Sequence, residues 1–494
     1  MADKAFLAID MGASSGRHVA GYFDGGRLRL KKLYRFDNGP VAAAGHLYWD
    51  LLGQWTHVKN GLRAAASAGA PIASIGVDTW GVDFGLLGRG NELLGNPVCY
   101  RDARTTGMLD RALSIVPRED QFQQTGVQFM QINTLYQLLS MRLGGSPLLD
   151  AAESLLMMPD LFHWLLTGNK SNEFTNATTS QCFDPRQQTW AVPLLERLGL
   201  PTHLFGEITQ PGTNLGPLLS AVANETGLQG SHVVAPGTHD TASAVLAVPF
   251  TGQASAQPNW CYISSGTWSL MGVEVPAPVV NNKCLELNFT NEGGVGGTTR
   301  LLKNIGGLWL AQECRRVWNQ AGKNYSWDDL MRLSAAAKPL ASLINPDAPE
   351  FLAPDNMPEA IRDFCRRSGQ PLPKDEGAIL CTAIDSLALR YRQVLDWLEE
   401  LTGGSIDVIH IVGGGSQNKQ LSQATANACN RRVVTGPVEA TAAGNVLMQA
   451  IAAGEIANIR EAREVVARSF DVETYEPQNT AAWDEAFERF KKFF

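Results

Sequence analysis

Ala5-Phe6-Leu7-Ala8-Ile9-Asp10-Met11-Gly12-Ala13-Ser14-Ser15-Gly16-Arg17 is the stretch whose reading decides the fold. A short apolar run closes on an acid, and two glycines and two serines follow before an arginine. Glycine permits backbone shapes that other residues resist and lets amide N–H groups approach an anion closely. Serine hydroxyls and the Arg17 guanidinium suit phosphate oxygens. Asp10 repels phosphate but can hold a hydrated magnesium ion that bridges to it. The segment from Arg17 to Phe23 continues as a second strand towards Gly25-Gly26, so the turn reads as a phosphate-and-metal loop between two strands. Gly12–Gly16 also fits the Gly-x-Ser-x-Gly elbow of serine hydrolases, with Ser14 as nucleophile, provided that the turn leads into a helix. A plain glycine-rich hairpin is the third reading.

The chain has 494 residues, 44% of them hydrophobic and 18% charged, with a formal charge of -8. That length can bury a large core, and three domains or two large ones both fit it. The acidic balance, with no basic run, excludes nucleic acid and anionic membranes as partners, because both need concentrated Lys and Arg. Small-molecule substrates and a monomer or small homo-oligomer are expected. No apolar stretch reaches the roughly 18 residues of a membrane helix, and no basic start precedes an apolar block, so a cytoplasmic protein is expected. The eight cysteines form no Cys-x-x-Cys and read as buried thiols of a cytosolic protein, although Cys365 and Cys381 flank one helical connection and can pair. The Walker pattern, Gly-x-Gly-x-x-Gly and His-Glu-x-x-His are all missing from the sequence.

Strand-like runs recur at Phe6–Ile9, 17–23, 28–34, Ile72–Val77 and 82–87, with helical spacing over 51–68, Thr134–Leu143, 155–166 and 240–248. The Gly-, Ser-, Gln- and Pro-rich connection 249–259 marks a domain boundary, giving domains 1–248 and 254–494. Beyond it the opening design returns: strand 260–263, the tight turn Ser264-Ser265-Gly266-Thr267, and strand 268–273. Two related halves facing each other are therefore expected. Strand 406–412 then enters Gly413-Gly414-Gly415, followed by helix 419–428, strand 431–434 and helix Ala440–Ala452. Strands alternating with helices in both halves argue for an α/β protein with mixed sheets.

Phosphoryl transfer passes through a loose transition state, so catalysis is mostly positioning and charge stabilisation. Gly266 and Thr267 suit the oxygens of a transferred phosphoryl. Gly413–Gly415 either lets a nucleobase or ribose lie against its backbone or simply packs closely. Asp240, in His239-Asp240-Thr241-Ala242-Ser243, is the candidate base for a substrate hydroxyl; the alternative is plain capping of the helix that it opens. Asp78-Thr79-Trp80-Gly81-Val82-Asp83 offers close approach of a polyol to backbone at Gly81, or is a turn with one buried Trp. Asn304, at the mouth of a helix, suits sugar hydroxyls, and Trp309 reads as core.

Together these segments resemble the FGGY carbohydrate kinases, of the sugar kinase, Hsp70 and actin superfamily. The residues from Asp10 to Arg17 are similar to the first phosphate motif, Ser264–Leu270 to the second, and Ile411–Gly415 to the adenosine motif. Gly76–Phe84, Ser264–Gly272 and Leu302–Leu310 are most similar to members acting on L-rhamnulose. The resemblance implies two RNase H-like domains flanking a central catalytic cleft. It also implies ATP- and Mg2+-dependent transfer to O1 of L-rhamnulose, giving L-rhamnulose 1-phosphate within L-rhamnose breakdown. L-fuculose or D-xylulose as acceptor, and a non-sugar actin- or Hsp70-like ATPase, are the rival readings. Carried across residue by residue, Asp240 matches the proton acceptor, and Gly81, His239, Thr241 and Asn304 match sugar contacts. Ala13, Ser14, Ser15, Gly16, Arg17, Thr267, Gln312 and Gly415 match ATP contacts, and Asp10 matches the residue that positions magnesium. Some members carry a close cysteine pair after the adenosine motif; here Cys429 stands with Thr425 a turn earlier, so no bridge forms there.

Overall fold

The structure, a computed structural model, describes residues 4–494 apart from Thr251 and Gln253. Those two lie in the expected boundary 249–259, and Met1–Asp3 open the expected first domain; all five fall outside the described residues. The chain forms two compact units. The first comprises residues up to 254 with 274–301 and 440–470; the second comprises 255–273, 302–439 and 471–494.

In the first unit, strands β1 (Ala5–Met11), β2 (Ser15–Asp24), β3 (Arg27–Asp37), β4 (Ile72–Thr79), β5 (Asn214–Pro217) and β6 (His232–Val234) form one mixed sheet in the order β5-β6-β4-β1-β2-β3. β1 pairs parallel with β4 and antiparallel with β2, and β6 pairs parallel with β4. Every residue of β1 is buried, the mark of a central strand covered on both faces. Leu7, Ile9, Met11, Ile75 and Val77 share a core with Leu51, Val58 and Leu62 of helix Leu51–Ala66 and with Leu161 and Phe162 of helix Met158–Thr167.

Small residues line the sheet where helix Ala440–Ala452 packs. A β-carbon on Gly21 would overlap Val446, one on Gly76 would overlap the Asn445 amide, and one on Gly444 would overlap the Ser243 carbonyl oxygen. A methyl group would displace a side chain at Gly21 and Gly76, and backbone at Gly444.

In the second unit, β7 (Trp260–Ser265) pairs antiparallel with β8 (Trp268–Val275) and parallel with β9 (Val408–Val412). β9 pairs parallel with β10 (Arg432–Thr435), which pairs antiparallel with β11 (Glu473–Tyr475). The pattern antiparallel, parallel, parallel, antiparallel repeats that of β2-β1-β4-β6-β5, so the strand–turn–strand likeness between the halves extends to strand pairing.

Several expectations shift. The helix expected over 155–166 is split: Ala152–Met157 is a strand pairing with Phe84–Gly88, and the helix starts at Met158 with Pro159 in its first turn, where a missing N–H costs little. Val82 lies outside its expected strand at φ +66°, held by Thr179 Oγ1 on its amide and the Thr134 hydroxyl on its carbonyl. Ser264 and Ser265 belong to β7, not to the turn, because they pair with Leu270 and Ser269. Asn304 lies inside strand Thr299–Gly306, and the helix opens five residues later, at Trp309. Cys365 and Cys381 are free thiols, as are the other six cysteines, all buried.

Alanine normally stabilises a helix interior relative to glycine by about 0.5–1 kcal/mol. Gly444→Ala is expected to do the reverse, losing about 1–3 kcal/mol through overpacking against Ser243. Urea unfolding followed by circular dichroism checks this, and a stabilised variant would contradict the close packing.

Candidate active site

The turn expected to run from Asp10 to Arg17 is a tight hairpin, so both end residues sit on strands. Asp10 and Arg17 are direct partners across β1 and β2, while Asp10 and Asp78 are partners across β1 and β4. Register therefore sets Arg17, Asp10 and Asp78 in a row. Arg17 meets Asp10 Oδ2 through Nε at 2.9 Å and Nη2 at 2.7 Å. This is why β2 follows as an antiparallel strand and no hydrolase elbow forms. The loop itself is braced by Gly12 N on Ser15 O at 3.0 Å and by Asn38, whose Nδ2 donates to Gly12 O at 2.8 Å. Ser14 is exposed, and Ala13 and Ser15 are half-buried.

Asp78 is fully buried. Asn445 Nδ2 donates to its Oδ2 at 2.6 Å, and Gln449 in turn holds Asn445 Oδ1 at 2.7 Å and Leu7 O at 3.0 Å. Burial first, and then the charges of Asp10 and Asp240, push the Asp78 carboxyl well above the usual carboxylate range. Asp10, Asp78 and Asp240 therefore occupy one electrostatic neighbourhood at the carboxyl ends of parallel strands, where ligands of α/β sheets gather.

Asp240 reaches that place through the loop after β6. Thr79 N donates to Thr238 O at 2.9 Å, extending the sheet. The buried Glu173 carboxylate accepts from Thr238 N at 3.2 Å, Thr175 N at 2.9 Å and Asn176 N at 3.2 Å, which pins the loop. Helix Asp240–Leu246 then begins, with His239 as its cap residue, so Asp240 is not the cap. Its two oxygens differ. Oδ1 accepts from Thr241 N at 2.6 Å and Thr241 Oγ1 at 3.2 Å and faces His239 Nε2 at 3.3 Å. Oδ2 has no partner among the described residues, and the side chain is 32% exposed. One oxygen is clamped and the other is open.

Gly81 lies against Thr179, whose Oγ1 a β-carbon would approach to 2.9 Å. Trp80 is buried against Trp49, ring centroids 4.2 Å apart, and belongs to the core, as the reading of a turn with one buried Trp expects. Both indoles donate to Asp83 Oδ2, at 3.0 and 2.6 Å, and Gln137 donates to Oδ1 at 3.0 Å. Burial raises Asp83 to about 6 against those hydrogen bonds, so it anchors the Trp80–Val82 loop.

The second unit gathers the remaining nucleotide candidates. Thr267 Oγ1 donates to Gln312 Oε1 at 3.2 Å, and the Gly266 and Thr267 carbonyls accept the amides of Leu308 and Trp309, both at 3.1 Å. Gly413 has φ +85°, and a β-carbon on Gly415 would overlap Ser265 Oγ, so the glycine turn sits directly on the end of β7. Trp309 is half-buried, its indole donating to Phe351 O at 3.1 Å. Asn304 is half-buried on its strand.

Sequence reasoning missed Glu173, Glu292, Arg300 and Asn445. Charged residues inside short buried strands (Glu292, Arg300) and polar residues four apart on an otherwise apolar helix (Asn445, Gln449) were the available signals.

Among the described residues no group of three or more His, Cys, Asp or Glu side chains is poised to hold a metal, and no helix is long and apolar enough to cross a membrane.

Models of the FGGY family of carbohydrate kinases match the chain twice: the N-terminal domain over residues 5–247 and the C-terminal domain over 261–453. Rhamnulokinase of Bacteroides thetaiotaomicron is 45% identical over 486 residues, covering 98% of each chain. Rhamnulokinase of Pectobacterium atrosepticum is 41% identical over 495 residues, covering 99% of this chain and 97% of its own. A gluconate kinase from Lactobacillus acidophilus shares the fold at TM-score 0.80 and 14% identity, with 99% of this chain and 97% of that one covered. A xylulose kinase from the same organism does so at TM-score 0.79 and 15% identity, with the same coverage.

Gly415→Ala must move either the turn or Ser265. Calorimetric titration with ADP is expected to show affinity weakened about tenfold or more, equivalent to about 1.4 kcal/mol. Unchanged affinity would remove this turn from nucleotide binding.

Proposed function

We infer the reaction from the family to which the chain belongs, the FGGY family of carbohydrate kinases, and from the one open oxygen of Asp240. The chain is an ATP-dependent sugar kinase, and its near full-length likeness to rhamnulokinases makes rhamnulose its acceptor. The product is L-rhamnulose 1-phosphate, in the breakdown of L-rhamnose.

Asp240 Oδ2 accepts the proton of the O1 hydroxyl as that oxygen attacks the γ-phosphorus. The new O–P bond forms as the bond to the β-phosphate oxygen breaks and ADP leaves. Because the transition state is loose, the proton moves late and the carboxylate chiefly orients the hydroxyl. Thr241 and His239 hold Oδ1 fixed, which aims Oδ2. Gly81 and Asn304 join them as sugar contacts. Ala13–Arg17, Thr267, Gln312 and Gly415 hold the nucleotide. Gln312 keeps the Thr267 hydroxyl in place, and the glycine turn on Ser265 leaves bare backbone for a flat ring.

A divalent metal accompanies ATP in this family, and we assign magnesium. The donors fit: Asp10 and Asp78 are neighbouring carboxylates, with Asp78 Oδ1 buried and unpaired, as suits a hard cation that also takes water and phosphate oxygens. Asp10 would hold it, and the bound ion offsets negative charge on the phosphates. We place the protein in the cytoplasm, a reading supported by the use of ATP and by eight unpaired thiols.

The open Oδ2 carries this reading. Asp240→Asn is expected to leave ADP affinity within about twofold while turnover falls about 10²-fold or more. Calorimetric titration with ADP checks the affinity, and an ADP-release assay over L-rhamnulose, L-fuculose, D-xylulose, D-ribulose and glycerol checks turnover. Near wild-type turnover removes Asp240 from its role, and turnover highest on another acceptor replaces the substrate.

A further inference from the structure

His239 is wedged between two carboxylates and a guanidinium. Its Nε2 lies 3.3 Å from Asp240 Oδ1, while its Nδ1 lies 3.2 Å from Glu292 Oε2 and 3.2 Å from Arg300 Nη2. The ring is 8% exposed at its side chain, Glu292 is 5% exposed and Arg300 is fully buried. Arg300 Nη2 also meets Glu292 Oε2 at 3.3 Å, and its Nε donates to Gly293 O at 2.9 Å. All four residues belong to the first unit.

Donor counting decides how this cluster works. A neutral imidazole carries one N–H and one lone pair, and a guanidinium has only donors. With the proton on Nδ1, that N–H would be opposed by the Arg300 donor, and the Nε2 lone pair would face the Asp240 carboxylate. With the proton on Nε2, Arg300 donates to the Nδ1 lone pair, Nε2–H donates to Asp240 Oδ1, and Glu292 neutralises Arg300. Protonated at both nitrogens, the ring donates from Nε2 to Asp240 Oδ1 and from Nδ1 to Glu292 Oε2, which Arg300 also meets. An N–H on Nε2 is common to the two arrangements that spare Asp240 a facing lone pair. Burial alone would raise Glu292, but His239 and Arg300 outweigh it and hold the carboxyl below its ordinary value, so Glu292 remains the counter-charge.

Resting on the kinase reading above, we propose that Glu292 and Arg300 are positioning residues for phosphoryl transfer. They hold the His239 ring with an N–H on Nε2 against Asp240 Oδ1, so that Oδ2 stays turned to the sugar hydroxyl. His239 acts in this way first on the base, beyond any contact with sugar. Neither Glu292 nor Arg300 touches Asp240; their effect passes through one imidazole ring.

The test uses the full-length enzyme with 15N-labelled histidine, the His239 ring signals being assigned with His239→Asn. Wild-type protein without ligands is expected to show a protonated Nε2, and Arg300→Met, which leaves Glu292 alone at Nδ1, a partial or complete shift of that proton to Nδ1. Both Arg300→Met and Glu292→Gln are expected to lower kcat about tenfold or more, a fraction of the ~10²–10⁴ ascribed to a general base, with the KM for the ketose moving less than about threefold. Should Arg300→Met fail to fold, Glu292→Gln, which keeps the volume and loses the charge, supplies the same comparison. A wild-type ring carrying its only proton on Nδ1, or wild-type kcat in the folded variants, overturns the proposal. The tautomer is read with no substrate present, so failure of the ring geometry is distinct from failure of the kinase reading, which shows as wild-type enzyme phosphorylating no ketose.

Discussion

Three carboxylates in the first unit have to be kept close together, and the rest of the site follows from how the fold manages that repulsion. Asp10 and Asp78 are register partners on parallel strands, and Asp240 follows the loop that extends the same sheet at Thr79. Each is handled differently. Arg17, opposite Asp10 on the hairpin, neutralises one oxygen. Asn445 donates to Asp78, whose burial favours its protonated form. Thr241 and His239 take one oxygen of Asp240. Gly21 and Gly76 let a helix from the far end of the sequence lie close on the sheet, which brings Asn445 to Asp78, and Gly444 lets the same helix pack against helix Asp240–Leu246.

Comparison with Asp83 supports Asp240 as the proposed base. Both oxygens of Asp83 are engaged, by two indoles and an amide, and the group is buried. Such a carboxylate holds a loop and has nothing left to offer a substrate. Asp240 is one-third exposed with a single oxygen committed. A loose transition state asks little more of the protein than a fixed acceptor and fixed phosphate contacts.

Local patterns in the sequence carried much of the fold. Helices Thr134–Leu143 and Ala440–Ala452 begin and end where their periodicity says, and the hairpin signal after Asp10 and the repeat after Trp260 both correspond to real strand pairs. Where tertiary contact overrides local preference the reading fails. Ala152–Met157 becomes a strand because Phe84–Gly88 offers it an edge, and Val82 takes a left-handed shape because Thr134 and Thr179 hold it. Within the candidate site, Asp240, His239 and Thr241 could be picked out together because they are adjacent in sequence. Glu292, Arg300 and Asn445 were not, since the cluster draws on segments some 50 to 200 residues away from Asp240 and no local pattern ties them to it.

The most direct measurement is a crystal structure of the enzyme with L-rhamnulose and a non-hydrolysable ATP analogue. The O1 hydroxyl is expected within about 3.2 Å of Asp240 Oδ2, hydrogen-bond reach for a general base, and in line with the γ-phosphorus, with Oδ1 still on Thr241. A sugar bound with O1 on another side chain, or an Asp240 whose open oxygen faces only water, would contradict the assignment of this carboxylate as the base.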